Sequence, residues 1–440
     1  GTETLGVQFV NTNHALVVQF DGTATSSGSM DLQTLPSTLS GGYAFTLSGE
    51  GPDNATVAIG GVLSITGTAL QGVFDINDAG TAAPVLDTAF SGTISAADGF
   101  GRGTISGADL LGTTPTALVY YVVGPEAIRI IDVDTADSVV GSAFGQGAGS
   151  FSNASLPVDS NFVFGVASNS WGGHFYAAAG MFTVPSSGTF TGVGDDDEES
   201  VIASDKAISG TYSIPASSSI CGAAYSGASY NGYGCLIITP GDLGDVSALG
   251  IYMTDPTLNL SDPNNTTSGL GGALLADLDS DVVGRGVLIP QTDPAKASFA
   301  GNYAFGAQDY NGLNPSSGWE FDFVGQGAVT DLAFGSGTAG LLSDPFLTLD
   351  SGNGDPTYSG ATFSGTAVAD TNHQGRYTIP LVIDAGAGSP VDLSVVIYQA
   401  SGGELFWLSE DSNDLFFGSL QQQGSLTGLP AAKTKPKQKP

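Results

Sequence analysis

The sequence predicts an all-β protein. Three tandem antiparallel modules, each a β-sandwich or a small β-barrel, follow an orphan N-terminal β-hairpin. Three observations carry this. Gly makes up 65 of 440 residues. Short apolar runs such as VAIGGVLSI (57–65), YTIPLVI (377–383) and ELFWLS (404–409) are punctuated by Gly, Asn, Asp, Pro and Ser. One two-strand pattern also recurs along the chain, the mark of a repeat architecture. Glycine this frequent would weaken helices by about 1 kcal/mol each relative to Ala, whereas hairpin turns use its positive φ. Val, Ile, Tyr and Phe suit a pleated, half-buried surface.

The repeat defines the elements in order. Thr4–Gln33, Ala117–Gln146 and Ser394–Gln423 align without gaps. Each has an apolar strand, a turn and a second apolar strand. An acidic residue then falls in register (Asp21, Asp134, Asp411), as does a Gly-Ser pair (Gly28-Ser29, Gly141-Ser142, Gly418-Ser419), and each stretch ends on Gln. A looser copy runs from Leu249 to Gln291. Three of these four closing halves follow an opening half. It starts at GGYAF (Tyr43), SNFVFG (Phe162) or GNYAFG (Tyr303) and continues through FSGT (Phe90), ISGT (Ile208) or FSGT (Phe363). Two copies carry an Asp turn ending in Gly-Arg, at Asp98–Arg102 and Asp370–Arg376, and a Cys loop takes that place in the middle copy. The modules therefore span 35–147, 148–292 and 293–424, each with room for roughly eight strands.

Residues 1–34 are a closing half with no opening half. Two strands alone are marginal in water, and the apolar face of this pair includes Val7, Phe9, Leu16, Val18 and Phe20. It would pair within the chain by extending a sheet of the first module, belong to a truncated module, or add to a neighbouring subunit's sheet edge. The last reading makes the chain a head-to-tail subunit, and such contacts give filaments when they do not close. At the other end, residues 425–440 form a Lys/Pro-rich tail with Lys433, Lys435, Lys437 and Lys439, four of the ten basic residues. The bland reading of the tail is a solvated segment. The sharper one is an arm docking on an acidic surface.

Composition excludes some functions. Forty-three acidic against ten basic residues give a net charge of −33, the wrong sign for a nucleic-acid partner. No run of about 18 apolar residues would span a bilayer as a helix, and no signal peptide opens the sequence. Cys221 and Cys235 predict a disulfide, suited to an oxidising, extracellular setting. The sequons at Asn54, Asn153, Asn259, Asn264 and Asn265 would carry glycans only in a cell that glycosylates.

A search for chemistry finds little. His14, His174 and His373 lie in no HExxH motif, and there is no G-x-S-x-G elbow. His373, beside Asp370, reads as a turn residue. Of the three Trp residues, Trp407 reads as core, while Trp171 and Trp319 follow Gly/Ser turns and could stack on a glycan. The expectation is no enzyme and no required cofactor. Ca²⁺ is the ligand best suited to the acidic clusters: Asp75 with Asn77 and Asp78; Asp132, Asp134 and Asp137; the acidic run Asp195–Glu199; and Asp277, Asp279 and Asp281. The alternative is solvated acidic turns.

The GNYAF opener, the FSGT…D…GRGT stretch and the closing G-S-x-x-x-Q strand together resemble large secreted Gly/Ser/Thr-rich β-repeat proteins found in acidobacteria. The resemblance covers most of residues 35–424 and implies an architecture but no activity. The middle module departs from it in the Cys loop and the acidic run. The expected function is an extracellular structural protein, the subunit of a surface filament or layer that assembles with itself by β-strand addition. The alternatives are a secreted adhesin or carbohydrate-binding β-module array with a glycan partner, and a secreted hydrolase.

Overall fold

The structure is a computed structural model. It describes residues 5–424 apart from 20–25, 36–37, 82, 112–116, 136, 171–174, 199–200, 226–229, 266–268, 281, 293–299, 312–318, 331–332, 342–358, 385–390, 402 and 412–414. Phe20, Trp171, His174, Asp281 and the Lys tail lie outside the described residues, as does the side chain of Trp319.

The N-terminal segment is a sheet of three strands, β1 (Leu5–Phe9), β2 (His14–Gln19) and β3 (Ser27–Asp31), where the sequence had predicted a hairpin of two. The first module is a closed barrel of eight strands: β4 (Gly41–Glu50), β5 (Thr56–Thr66), β6 (Ala69–Asp78), β7 (Val85–Ile94), β8 (Arg102–Ser106), β9 (Leu118–Gly124), β10 (Ala127–Asp132) and β11 (Ser138–Gly145). The second is also closed: β12 (Asn161–Ser170), β13 (Phe175–Ser186), β14 (Thr189–Glu198), β15 (Val201–Ser213), β16 (Tyr233–Ile238), β17 (Ala248–Met253), β18 (Ala273–Asp277) and β19 (Val282–Gln291). The third is a nine-stranded sheet: β20 (Gly301–Asn311), β21 (Trp319–Thr330), β22 (Ala333–Leu341), β23 (Ser359–Thr366), β24 (Val368–Ala369), β25 (Arg376–Asp384), β26 (Val391–Gln399), β27 (Glu404–Ser409) and β28 (Leu415–Gln422). Here β23 also pairs with β25, which brings the two ends of the sheet together. The choice between sandwich and barrel thus resolves to closed barrels for the first two modules, and the third is a half-barrel whose sheet curls round to the β23–β25 pairing, called the third barrel below. Closure gives each strand of the first two modules two neighbours and removes the exposed edges of an open sheet.

Alternation sets the two faces of each strand. Inward residues fill the barrels, for example Tyr43, Phe45, Ile59 and Tyr120 in the first and Phe164, Phe182 and Phe190 in the second. Trp407 lies in the third core with ring contacts to Phe305, Phe323 and Phe416. It is core, as its apolar strand predicts.

Outward residues pack the barrels on one another under one rule. The closing strands β17–β19 of the second barrel lie on the opening strands β4–β6 of the first. Tyr252, Leu274 and Ala276 meet Ala44, Val62 and Val73 there. The third barrel's closing strands β26–β28 lie on β13 and β14 of the second, where Val396, Tyr398 and Leu408 meet Ala177, Ala179 and Val193. The N-terminal sheet follows the same rule. It sits on β20 and β21 of its own chain, Leu16 and Val18 packing against Ala304 and Val324.

This corrects the single apolar face expected of Val7, Phe9, Leu16 and Val18. In the β1–β2 register, Val7 and Phe9 oppose Val17 and Ala15, whereas Leu16 and Val18 oppose Gln8 and Gly6. The two pairs point to opposite sides. Of these four side chains, Leu16 and Val18 pack in the cluster with the third barrel, and Phe9 is 37% exposed.

Candidate functional site

The repeat places one device at both barrel–barrel contacts. Around the first barrel, Tyr121, Arg129, Ser142, Thr46, Gly60 and Asp75 share one rung of cross-strand partners. The same rung of the second barrel holds Tyr252, Leu274, Val287, Gly165, Ala179 and Asp195. In the third it begins at Tyr398 and ends at Gly340. Each contact joins the Asp of one barrel to the Tyr of the next.

At the first contact the Asp75 carboxylate is fully buried. It accepts hydrogen bonds from Tyr252 Oη (2.8 Å), Tyr233 Oη (2.6 Å) and the Asp87 N–H (2.9 Å). At the second, Asp195 is equally buried and accepts from Tyr398 Oη and the Asp205 N–H (2.6 Å). Arg376 adds a two-pronged bond, Nε to Oδ2 at 2.8 Å and Nη2 to Oδ1 at 2.6 Å. Asp87 and Asp205 occupy left-handed backbone, φ 54° and 53°, where the ladder slips beside each buried carboxylate. The bulge turns an N–H toward the acceptor, so the strand supplies part of the carboxylate's shell. A buried charge is tolerated only with such partners.

Burial raises Asp75 to about 6, against the lowering effect of its tyrosine bonds. Beside Asp195, burial pushes Asp196 up to about 7 and Asp197 to about 8. Asp196 accepts from Tyr176 Oη inside the barrel. Burial likewise lifts Glu410 to about 7, and it approaches Arg376 Nη2 at 3.4 Å. Burial opposes the Arg376 charge, but the Asp195 contact outweighs it and holds the guanidinium firmly protonated. Arg376 also reaches Asp370 at 3.1 Å. The Gly-Arg turn at 370–376 is therefore more than a turn, while Arg102 in the counterpart turn is exposed.

The residues singled out as metal ligands divide. Asp75 and Asn77 are committed to the barrel contact. Asn77 Nδ2 donates to the carbonyls of Asp277, Asp279 and Val282. Asp279 accepts from Ser247 and Ala248 backbone N–H groups. Asp132, Asp134 and Asp137 do converge, with one carboxylate oxygen from each within 4.8 Å of the others. Burial and mutual repulsion raise Asp137 to about 7, so this is the group of the expected set with the donors for a hard cation. Two further groups of this kind are His14, Asp31 and Asp262, and Asp205, Asp370 and His373. In the first, His14 is buried and Nδ1 lies 2.8 Å from Asp31, which Arg129 clamps at 2.5 Å. In the second, His373 sits at the turn predicted for it, 3.2 Å from Asp205 across the barrel contact.

Where the N-terminal sheet, the 254–272 connection and the third barrel meet lies a cavity of about 450 Å³. Asn11 Nδ2 bonds to Asp262 Oδ2 there at 2.6 Å, and Ser261 donates to Glu404, whose carboxyl burial raises. Cys221 and Cys235 form the expected disulfide, bracing the loop against Tyr225 and Tyr233 in the first contact. Among the described residues no helix is long and apolar enough to cross a membrane. Sequence reading missed the Asp–Tyr pairing. Its trace was present as Gly-Val two residues before each Asp (Gly72-Val73, Gly192-Val193) and as Ile-Tyr at 251–252 and 397–398.

No protein family and no curated protein matches the sequence. Among solved structures the chain is similar to a variant of transferrin binding protein B from Haemophilus parasuis Hp5, at 9% identity and TM-score 0.24 over 96% of this chain and 86% of that one. It is similar to the isotype 1 protein of that name from serogroup B Neisseria meningitidis, again at 9% and 0.24, over 96% and 89%. Kievitone hydratase from Nectria haematococca gives 9% and 0.20 over 58% and 90%.

Proposed function

We propose that this chain is an extracellular structural protein without catalytic activity, a subunit that joins further protein through its N-terminal strands. One observation supports this above the others. The N-terminal sheet has the register of a barrel's closing strands, yet among the described residues its second apolar face has no barrel to fill. Leu5 is 56% exposed and Met30 47%. Open strand edges beside an uncovered apolar face are the usual site of strand addition. The disulfide suits an oxidising compartment. The locked contacts join the barrels into a stiff body, which suits a mechanical role.

Electron microscopy and light scattering of the full chain, set beside a variant lacking residues 1–34, test the reading. The full chain should form multimers and the variant only single particles with the three barrels intact. Identical multimers from both would refute a linking role for these strands.

A further inference from the structure

The four closing halves do not have four complete contacts. Second on first, third on second and N-terminal sheet on third are present. Among the described residues, the outer closing face of the first barrel has no such mate. Tyr121 is 43% exposed, Ile131 39% and Val140 46%. Yet Tyr121 holds the rung position at which Tyr252 and Tyr398 are fully buried against a carboxylate.

The N-terminal sheet shows the complementary gap. Gln8, Leu16 and Ser29 share its rung, matching Tyr121, Arg129 and Ser142 of the first barrel. On that alignment Leu5, Val7 and Phe9 stand where Leu118, Tyr120 and Val122 line the first barrel's interior, each at most 3% exposed. The outward side of the sheet is seated on β20 and β21, so the side left open is a barrel interior. The two gaps are adjacent. Arg129 of β10 bonds to Ser29 and Asp31 of β3, much as Arg285 of the second barrel reaches Val140 of the first.

We infer that β1–β3 are the closing strands of a fourth barrel, completed by a five-stranded opening half on a polypeptide segment other than residues 5–424. The same five strands would line the open side of the N-terminal sheet and cover the bare face of the first barrel. Four barrels then form a ring, each closing face on the preceding opening face. The partner's chemistry follows from the other contacts. It is an antiparallel segment with alternating apolar residues and a carboxylate on its third strand, placed to accept from Tyr121. The third barrel has Gly340 at the carboxylate rung and the N-terminal sheet has Gln8 at the tyrosine rung, so Asp and Tyr are both missing from that contact. Tyr121 keeps its half of the pair. Residues 425–440 are too few for five strands with their turns, although the chain reaches the rim of the sheet, where the Gly424 N–H bonds to Val10 O at 2.8 Å.

The inference rests on the proposed reading that the N-terminal strands join other protein, and the test separates the two. A second copy of residues 35–116 is placed ahead of Thr4, the register equivalent of Ala117, in the otherwise complete chain. Hydrogen exchange in residues 5–9 should slow at least tenfold, and nitration of Tyr121 should fall at least tenfold. Asp75→Ala in the inserted copy alone should restore nitration of Tyr121 while β1 stays protected. Unchanged exchange and nitration with the first barrel intact would overturn the fourth barrel. If truncation after Gly424 in the unmodified chain speeds β1 exchange tenfold, the tail is the occupant and the inference also fails. Should the extended chain not fold, labelling of Tyr121 and Met30 in material from the native source decides. Protection there relative to the purified chain supports the inference, and equal labelling overturns it. Single particles with residues 1–34 in place, together with a closed barrel in the extended chain, would sink the assembly reading and leave the fourth barrel standing.

Discussion

Arg376→Met should loosen the third barrel from the second far more than its single charge suggests. The guanidinium makes two bonds to the buried Asp195 and meets Asp370 and Glu410 at 3.1 and 3.4 Å. Without it, Asp195 loses its cationic partner and keeps Tyr398 Oη, the Asp205 N–H and its contact with Glu410 at a buried position. Removing one partner of a buried ion pair costs about 3–5 kcal/mol, because the remaining charge is left uncompensated. Each 1.4 kcal/mol is about a factor of ten in an equilibrium, so opening of this contact should become roughly a hundred- to a few-thousand-fold more frequent. Native-state hydrogen exchange of peptides from β25 and β26 reads this directly, with peptides from β9 as an internal control. Adding Asp195→Asn removes the stranded charge and should recover more than half of the loss. A penalty below about 1 kcal/mol, or a double variant no better than the single one, would refute the view that burial of Asp195 drives the effect.

Two further outcomes follow from the same contacts. Asp75, Asp196, Asp197 and Glu410 all titrate above their ordinary range because burial disfavours their charged forms. The folded chain thus keeps protons that the unfolded chain releases between about pH 4 and pH 8, and stability falls as pH rises through that window. Asp75 alone, at about 6, contributes on the order of 3 kcal/mol. Calorimetry should find a higher Tm at pH 5 than at pH 8, and a flat or rising profile would contradict it. Gly60→Ala would set a Cβ 2.1 Å from the Tyr252 ring and 2.9 Å from Ala276 Cβ, costing about 1–3 kcal/mol by overpacking. Gly28→Ala on β3, with open space around it, should leave Tm unchanged, and equal effects from the two would count against a tight first contact.

The three modules were legible because alternation and turn chemistry are local. The period-2 runs, the Gly and Asp turns and the in-register Gly-Ser pairs all sit within a few residues of one another. Closure into barrels was not legible, because it depends on pairs such as Ser142 with Thr46 and Tyr43 with Gly145, joined only after a whole module of chain. The third N-terminal strand was missed because SGSMD is polar and mostly exposed, with no apolar alternation to reveal it. Asp75 and Asp195 read as candidate calcium ligands or solvated acids, since charge within an apolar strand has no local explanation. Their partners Tyr252, Tyr398 and Arg376 lie some two hundred residues or fewer downstream. The Asp132–Asp134–Asp137 grouping was visible because one turn brings it together.

The seating of the N-terminal sheet on the last barrel has a consequence for biogenesis. Leu16 is made before its seat at Ala304 and Val324, which lies a whole two modules further along the chain. At about 5–20 residues per second the nascent segment waits on the order of tens of seconds for its dock. Throughout that interval the side that Leu16 and Val18 present is unclaimed, so a chaperone or the export machinery has reason to hold this stretch until β20 and β21 have been made.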